Sequence, residues 1–185
     1  MNEHQLAVIG ERNAVNLAPG VSMLQFDARR CRIHRQTLQK LLKFRNLAPL
    51  LGLAKGIEKE TLSLPSQIVE EVLGKVPYAH LSGPGFAKEV IRGKRAREVI
   101  AAKDKLLLTK LKALFQIKPL EISTTADLIG VQLAGAFKNV LAIGISLVEA
   151  DGQKPKISKD LIGLGLKEMI ALGKTMGAER QTFLG

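Results

Sequence analysis

The sequence predicts an α/β region followed by an all-helical region. Strand-like and helix-like segments alternate up to about residue 122, which is typical of a sheet covered by helices. From about residue 124 onward, two long apolar stretches with helical character follow one another. The chain has 185 residues and is 46% hydrophobic, so it can bury a substantial core. We therefore expect a domain boundary near residue 122.

The first half carries signals of uneven strength. A basic helix is predicted around residues 37–44, and a short apolar run over residues 50–54 suggests a buried strand. A proline near its start and a glycine just past its end bracket a helix over about residues 64–73. Strands are expected at residues 78–82 and, more weakly, at residues 98–102.

The second half is expected to be mainly helical. An amphipathic helix over residues 104–115 and a strand over residues 121–124 precede it. Thr124 and Thr125 are plausible N-caps for a helix over residues 127–148.

A loop is then predicted over residues 151–157. Ser158 is expected to cap a last helix that runs through Leu172 and ends near Gly173 or Gly177.

One lysine interrupts the apolar stretch over residues 127–148. Only Gln132, Lys138, Asn139 and Ser146 break its apolar character, and a helix without a polar face is normally buried on all sides. A buried ammonium costs several kcal/mol unless it is paired or hydrogen-bonded. Burial also lowers the pKa of a lysine, which then exchanges protons more readily. Lys138 is therefore the first candidate for a functional residue.

Charge and cysteine content limit the classes of function. The net charge is +11, from 28 basic and 17 acidic residues, and this favours anionic partners. The charge is dispersed and the chain has one Tyr and no Trp, so specific nucleic-acid binding is not expected. The single cysteine, Cys31, excludes an internal disulfide and a multi-cysteine metal site, and no metal is expected.

The location of the chain can be predicted from the same features. The run over residues 128–148 is long enough to cross a membrane, but Lys138 and Asn139 at its centre argue against a span. The start of the chain lacks the pattern of a secretion signal. We therefore expect a soluble, cytoplasmic protein.

Five segments of the chain carry a set of motifs in a fixed order. Residues 54–58 resemble T-K-G-I-E, and residues 81–90 resemble L-S-G-P-S-F-A-x-E-V. Residues 130–143 resemble G-V-E-L-x-G-A-L-K-N-V-x-A-I, and residues 166–173 and 182–185 continue the similarity. Together these segments span about residues 46 to 185, and their order makes the similarity far more specific than any one motif. In this order the motifs resemble those of NAD(P)-dependent glycerol-3-phosphate dehydrogenases.

The resemblance implies a partial Rossmann-like parallel sheet over residues 1–122 and a helical substrate and dimerisation domain over residues 123–185. It implies hydride transfer between NAD or NADP and glycerol 3-phosphate or dihydroxyacetone phosphate, in a homodimer that serves glycerophospholipid synthesis. By resemblance, Lys138 is the proton donor and acceptor and also binds substrate, and Asn139 orients the site. The other residues implied are Lys55 for substrate and cofactor, Gly83 and Gly85 for substrate, and Ala87 for the cofactor.

Several departures from the family pattern predict weak or absent activity. The chain contains no G-x-G-x-x-G, the turn that brings backbone N–H groups to a dinucleotide. Residues 24–45 are shorter than the strand and helix expected there, and the family's G-L-G-D-L and S-R-N segments do not follow Thr182-Phe-Leu-Gly185. Gly85, Arg95 and Leu164 stand where the family has serine, proline and arginine. The alternative is a non-catalytic remnant or a basic module that binds anions or a partner.

Overall fold

The computed structural model describes residues 6–10, 21–25, 32–43, 47–84, 90, 92–152 and 155–184. The strands within these ranges are β1 Leu6–Gly10, β2 Val21–Gln25, β3 Leu50–Gly52, β4 Tyr78–Ser82, β5 Ala96–Ala102 and β6 Leu120–Thr125. The helices are α1 Arg32–Leu41, α2 Pro65–Leu73, α3 Lys105–Phe115, α4 Leu128–Ala150 and α5 Pro155–Thr175, followed by a short 3-10 helix, Arg180–Phe183.

The described strands form one sheet in the order β2-β1-β3-β4-β5-β6. Neighbouring strands are parallel at every pairing except β4 with β5, which run antiparallel with Ser82 opposite Val99. The predicted α/β sheet followed by helices is therefore confirmed, and the departure from a purely parallel sheet lies at one strand pair. The strands β1 and β2 were not predicted.

Helices cover both faces of the sheet. Leu50 and Leu51 are adjacent in β3 and fully buried, and successive strand residues point to opposite faces. On the face of Leu50 pack α1, α2 and the start of α4, through Leu38, Leu41, Ile68, Val69, Leu128 and Val131. On the face of Leu51 packs α3, through Leu107 and Leu111. The sheet is thus the middle layer of three.

Only the first half of α4 is buried. Leu133 is fully buried, whereas Val140 is 64% exposed and Ile143 and Leu147 are exposed to a similar extent. The prediction of a helix buried on all sides is therefore wrong for its second half, because the sheet and α2 lie under the first half alone. Among the described residues, α4 is the one helix long and apolar enough to cross a membrane, with a third of that apolar stretch buried.

Three helix starts differ from the predictions. The helix α1 covers Arg32–Leu41 rather than residues 37–44. The N-cap of α4 is Asp127, whose side chain accepts from Gly130 N, whereas Thr125 is the last residue of β6. The helix α5 begins at Pro155 instead of after Ser158, since proline suits the first turn of a helix, and Ser158 is buried within it.

Candidate functional site

The predicted site residues lie where two parallel strands end. The strand β3 ends at Gly52 and β4 at Ser82, and the loops that follow them carry Lys55 and Gly83. Ligands of open α/β sheets bind at this carboxyl edge. The helix α4 passes the same edge and brings Lys138 to it, so residues 55, 83 and 138 meet although they are far apart in sequence.

Two lysines donate to a single carbonyl oxygen. The distance from Lys138 Nζ to Gly83 O is 3.1 Å, and that from Lys55 Nζ to Gly83 O is 3.3 Å. Lys138 is half-buried and Lys55 is exposed. Two ammonium groups converging on one point form a positively charged corner that suits an anionic or carbonyl-bearing ligand.

The surroundings of Lys138 favour its neutral form. Its pKa lies below the ordinary lysine value, first because burial penalises the charged form and second because the Lys55 charge repels it. Glu98 acts in the opposite direction and raises the pKa of Lys138. A lysine with a lowered pKa is better suited to give up and regain a proton near neutral pH.

Glu98 reaches this corner from β5. A methyl group on Gly83 would overlap the Glu98 carboxylate and would lie 2.6 Å from the Arg97 carbonyl oxygen, so glycine permits the close approach. Sequence reasoning missed Glu98, because the register of the antiparallel β4–β5 pair cannot be deduced from either strand alone.

Close packing of α4 on β4 places Lys138. A methyl group on Gly135 would lie 2.6 Å from Ser82 Oγ and 3.7 Å from Lys55 Cγ, so the helix backbone comes directly onto the end of the strand. One turn earlier, Gln132 is buried and its Oε1 accepts from Ser66 N at 2.8 Å. Its Nε2 donates to Ser66 Oγ at 2.9 Å. The amide thus ties α4 to the first turn of α2.

Asp127 anchors the start of α4. Its Oδ1 accepts from Gly130 N at 2.8 Å, and its Oδ2 accepts from Glu179 N at 2.9 Å and from Thr182 Oγ1 at 2.6 Å. One buried carboxylate therefore caps the helix and fixes the segment after α5. Thr124 and Thr125, the residues predicted to cap this helix, lie in β6 instead.

A buried carboxylate also holds the loop of Lys55. Glu58 is 4% exposed and accepts from Arg35 Nε at 3.1 Å, Arg35 Nη2 at 2.8 Å and Thr61 Oγ1 at 2.5 Å. Arg35 Nη2 also donates to Glu71 Oε2 at 2.6 Å. Since Glu58 lies three residues after Lys55, this cluster restricts the loop that carries the exposed lysine.

The other predicted site residues are one exposed residue of α4 and two glycine-loop positions that the structure does not describe. Asn139 is exposed on α4, next to Lys138 in sequence. Gly85 and Ala87, like Cys31, lie outside the described residues. Within the ranges that the structure describes, no three His, Cys, Asp or Glu side chains group together to hold a metal ion.

Sequence models of one family match most of the chain. The NAD-dependent glycerol-3-phosphate dehydrogenase N-terminus matches residues 28–108, and the corresponding C-terminus matches residues 127–185. Similar proteins include a glycerol-3-phosphate dehydrogenase (NAD(P)+) of Solidesulfovibrio magneticus, which is 38% identical over an alignment that covers 98% of this chain and 55% of that protein. Glycerol-3-phosphate dehydrogenase (NAD(P)+) 1 of Mycobacterium tuberculosis is 40% identical over 82% of this chain and 45% of its own length.

Solved structures support the fold. The crystal structure of glycerol-3-phosphate dehydrogenase from Coxiella burnetii matches 99% of this chain and 72% of that chain, with a TM-score of 0.82 and 19% identity. The Plasmodium falciparum glycerol-3-phosphate dehydrogenase matches 83% of this chain and 43% of that chain, with a TM-score of 0.74 and 22% identity. The chain spans about half the length of the sequence relatives it matches.

Proposed function

The chain belongs to the NAD-dependent glycerol-3-phosphate dehydrogenase family, and we propose that its site carries out the reaction named for that family. In this proposal the substrates are sn-glycerol 3-phosphate and dihydroxyacetone phosphate, interconverted in the cytoplasm for glycerophospholipid synthesis. The observation that carries the proposal is the half-buried Lys138 ammonium, which shares the Gly83 carbonyl with Lys55 at the carboxyl edge of the sheet.

Lys138 is proposed to transfer the proton of the reaction. When bound, a reduced nicotinamide supplies the hydride that forms the new C–H bond at the carbonyl carbon of the ketone. The electron pair of the carbonyl π bond moves to oxygen, and Lys138 Nζ gives that oxygen its proton. In the reverse direction neutral Lys138 takes the proton from the hydroxyl group. A lowered pKa helps the reverse direction, because the neutral amine that accepts the proton then costs less to form.

Lys55 is proposed to attract and orient the anionic substrate. Its ammonium is exposed and lies beside Lys138, so it adds positive charge where a phosphate ester would enter. Gly83 supplies the carbonyl that aligns both amines, and by family resemblance Gly85 also contacts substrate. Asn139 keeps its proposed role in orienting the site, which rests on the resemblance alone.

The positively charged corner fits the carbonyl group that would receive the hydride, whereas the dinucleotide cofactor is implied by the family. The family implies NAD or NADP. The cationic donors of Lys55 and Lys138 at the carboxyl edge suit the reacting carbonyl and its developing negative charge. By resemblance Lys55 and Ala87 would contact the cofactor. The sequence has no G-x-G-x-x-G, so we assign no residue to the diphosphate.

We also propose that the exposed apolar face of α4 and α5 contacts a second copy of the chain. Three large apolar side chains of α4 and four of α5 are exposed: Val140, Ile143, Leu147, Ile157, Ile162, Leu164 and Leu172. Large exposed apolar patches are rare on monomeric proteins and usually mark surfaces that bind another molecule. This face belongs to the helical part, residues 123–185, which we propose as the substrate and dimerisation domain beside a nucleotide-binding domain over residues 1–122.

The first experiment measures oxidation of NADH and of NADPH by the purified chain when dihydroxyacetone phosphate is added. Lys138→Ala is expected to lower turnover about 10²- to 10⁴-fold, as loss of a general acid does. Lys110→Ala, which removes an exposed lysine of α3, is the matched control and is expected to leave turnover unchanged.

Two outcomes would contradict the proposal. Full activity of Lys138→Ala would show that Lys138 does not transfer the proton. No turnover by the folded parent chain with either cofactor would refute the activity of this chain and favour the alternative, a non-catalytic basic module. The net charge of +11 alone does not favour that alternative, since a phosphorylated substrate accounts for it equally well.

A further inference from the structure

Glu98 brings an acidic side chain to Gly83, the residue on which the two lysines converge. We propose that Glu98 is a positioning residue for proton transfer: its carboxylate, delivered by the antiparallel strand β5, holds the Lys138 ammonium in place at the Gly83 carbonyl and keeps it charged. This inference rests on the proposed function, because it assigns a role in the same site. The family resemblance did not include Glu98.

The strand pairing brings Glu98 to the site. The last pair of the β4–β5 ladder is Ser82 with Val99, so the next step along each strand places Gly83 against Glu98. The carboxylate lies so close to Gly83 that any side chain there would overlap it. Gly83 O in turn accepts from Lys138 Nζ at 3.1 Å. The Glu98 carboxylate and the Lys138 ammonium therefore both lie at Gly83.

The charges around Lys138 explain why a carboxylate matters there. From the loop after β3, Lys55 presents a second positive charge on the same carbonyl, and from β5 Glu98 presents the negative charge. On α4 itself the nearest titratable residues, Asp127 and Glu149, are each eleven positions away, about three turns. Burial and Lys55 lower the pKa of Lys138, and Glu98 is the group that opposes them.

Glu121 provides a contrast on the neighbouring strand. Its carboxylate lies 3.4 Å from Arg95 Nε and 3.5 Å from Arg97 Nε, and both arginine side chains are almost fully exposed. Exposed pairs of this kind contribute little, because water and ions screen them. Glu98 and Lys138 are both half-buried, so the interaction between their charges is screened less.

The test titrates Lys138 in the unliganded protein. Lysine side chains carrying ¹³C-methyl groups are followed by NMR against pH, and the Lys138 signal is assigned by its loss in Lys138→Arg. In Glu98→Gln the ratio of neutral to protonated Lys138 at a fixed pH is expected to rise about tenfold. Glu121→Gln is the control and is expected to leave the ratio unchanged.

A second variant covers the case in which Glu98→Gln does not fold. Glu98→Asp keeps the negative charge but moves it back by one methylene group. In this variant the ratio of neutral to protonated Lys138 is expected to lie between that of the parent and that of Glu98→Gln. In the pH profile of ketone reduction, the alkaline decline should move to lower pH in both variants, further in Glu98→Gln. A merely structural role would lower turnover without moving this decline.

The outcomes separate this inference from the proposed function. Because the NMR titration needs no turnover, a raised neutral fraction in an inactive chain would support Glu98 and refute the activity. An unchanged ratio in Glu98→Gln or in Glu98→Asp, in an active chain, would refute the role of Glu98 and leave the proposed reaction standing.

Discussion

Arg35 and Glu58 are 23 residues apart and form a two-point ion pair that joins α1 to the loop of Lys55. The planar guanidinium matches both carboxylate oxygens, which is the strongest geometry available to such a pair. Glu71, the second partner of Arg35, is much more exposed than Glu58. The buried carboxylate is therefore the centre of this cluster.

Glu58→Gln is expected to destabilise the protein by about 1.5–3 kcal/mol, because a buried charge-assisted network loses its charge and an amide NH2 donor replaces one acceptor oxygen and faces another donor. Glu71→Gln serves as the control and should cost less than about 1 kcal/mol, since that pair is exposed. Urea unfolding gives both values. Equal costs for the two variants would mean that the burial of Glu58 adds nothing.

Asp127→Ala is expected to cost about 2–3 kcal/mol. The substitution removes the N-cap of α4 together with the acceptors for Glu179 N and Thr182 Oγ1. Thr182→Val removes one of the three hydrogen bonds and should cost about 1 kcal/mol. Urea unfolding of both variants checks the order, and a threonine variant as unstable as the aspartate variant would contradict it.

Gly135→Ala is expected to lower turnover at least about tenfold, because the added methyl group meets Ser82 Oγ and pushes α4 and Lys138 off the strand end. Ser82→Ala removes that oxygen and leaves Ser82 Cβ at 3.6 Å, an ordinary contact. The double variant should therefore recover most of the lost turnover. A double-mutant cycle on turnover measures this coupling, and simple additivity of the two substitutions would refute the contact.

Ketone reduction should decline as pH rises through the pKa of Lys138, below the ordinary lysine value of 10.5, because the protonated amine is the donor. Lys55→Met removes a repelling charge, so the pKa of Lys138 rises and the decline moves to higher pH. The pH profile of kcat checks this, with Lys110→Met as control.

The pH dependence of the free energy of unfolding is an independent check that the pKa of Lys138 is lowered. Between the lowered pKa of Lys138 and 10.5, the unfolded chain binds more protons than the folded one, so the contribution of this residue to the free energy of unfolding rises with pH. If ketone reduction declines at the same pH in Lys55→Met as in the parent chain, the electrostatic link between the two lysines is contradicted.

Ile143→Lys is expected to weaken self-association, because it places a charge in the exposed apolar face of α4. Leu106→Lys introduces the same charge at an equally exposed leucine of α3 and is the control. Molar mass by light scattering distinguishes them. A monodisperse monomer for the parent chain would rule out the proposed contact between copies.

Local signals predicted the elements that have clear boundaries. The helix α2 has a proline at its start and a glycine after its end, and β4 precedes an abrupt turn, so both were predicted within a residue of their observed bounds. The strands β1 and β2 were not predicted, although Pro19 and Gly20 directly precede β2 in the sequence. Asp127 was missed as a cap because two threonines precede it and compete for the same role.

The site was predictable only in part. Burial of an apolar helix pointed to Lys138, and the resemblance pointed to Lys55 and Gly83, which the structure brings together. Glu98 could not be found this way, because its closeness to Gly83 depends on the direction in which β5 runs. Position along a strand carries no information about the neighbouring strand until the pairing is known.

Contacts hold α4 on both sides of Lys138, and this has a mechanical consequence. Asp127, Gln132 and Gly135 fix the first half of the helix to its neighbours. Beyond the lysine, a methyl group on Gly165 of α5 would overlap the Leu141 side chain, so α5 lies directly against the second half. At 1.5 Å per residue, Lys138 lies about 4.5 Å from Gly135 on one side and about 4.5 Å from Leu141 on the other. The lysine is therefore clamped between two fixed points of the helix, which keeps its amine aligned when the exposed residues farther along α4 bind a partner.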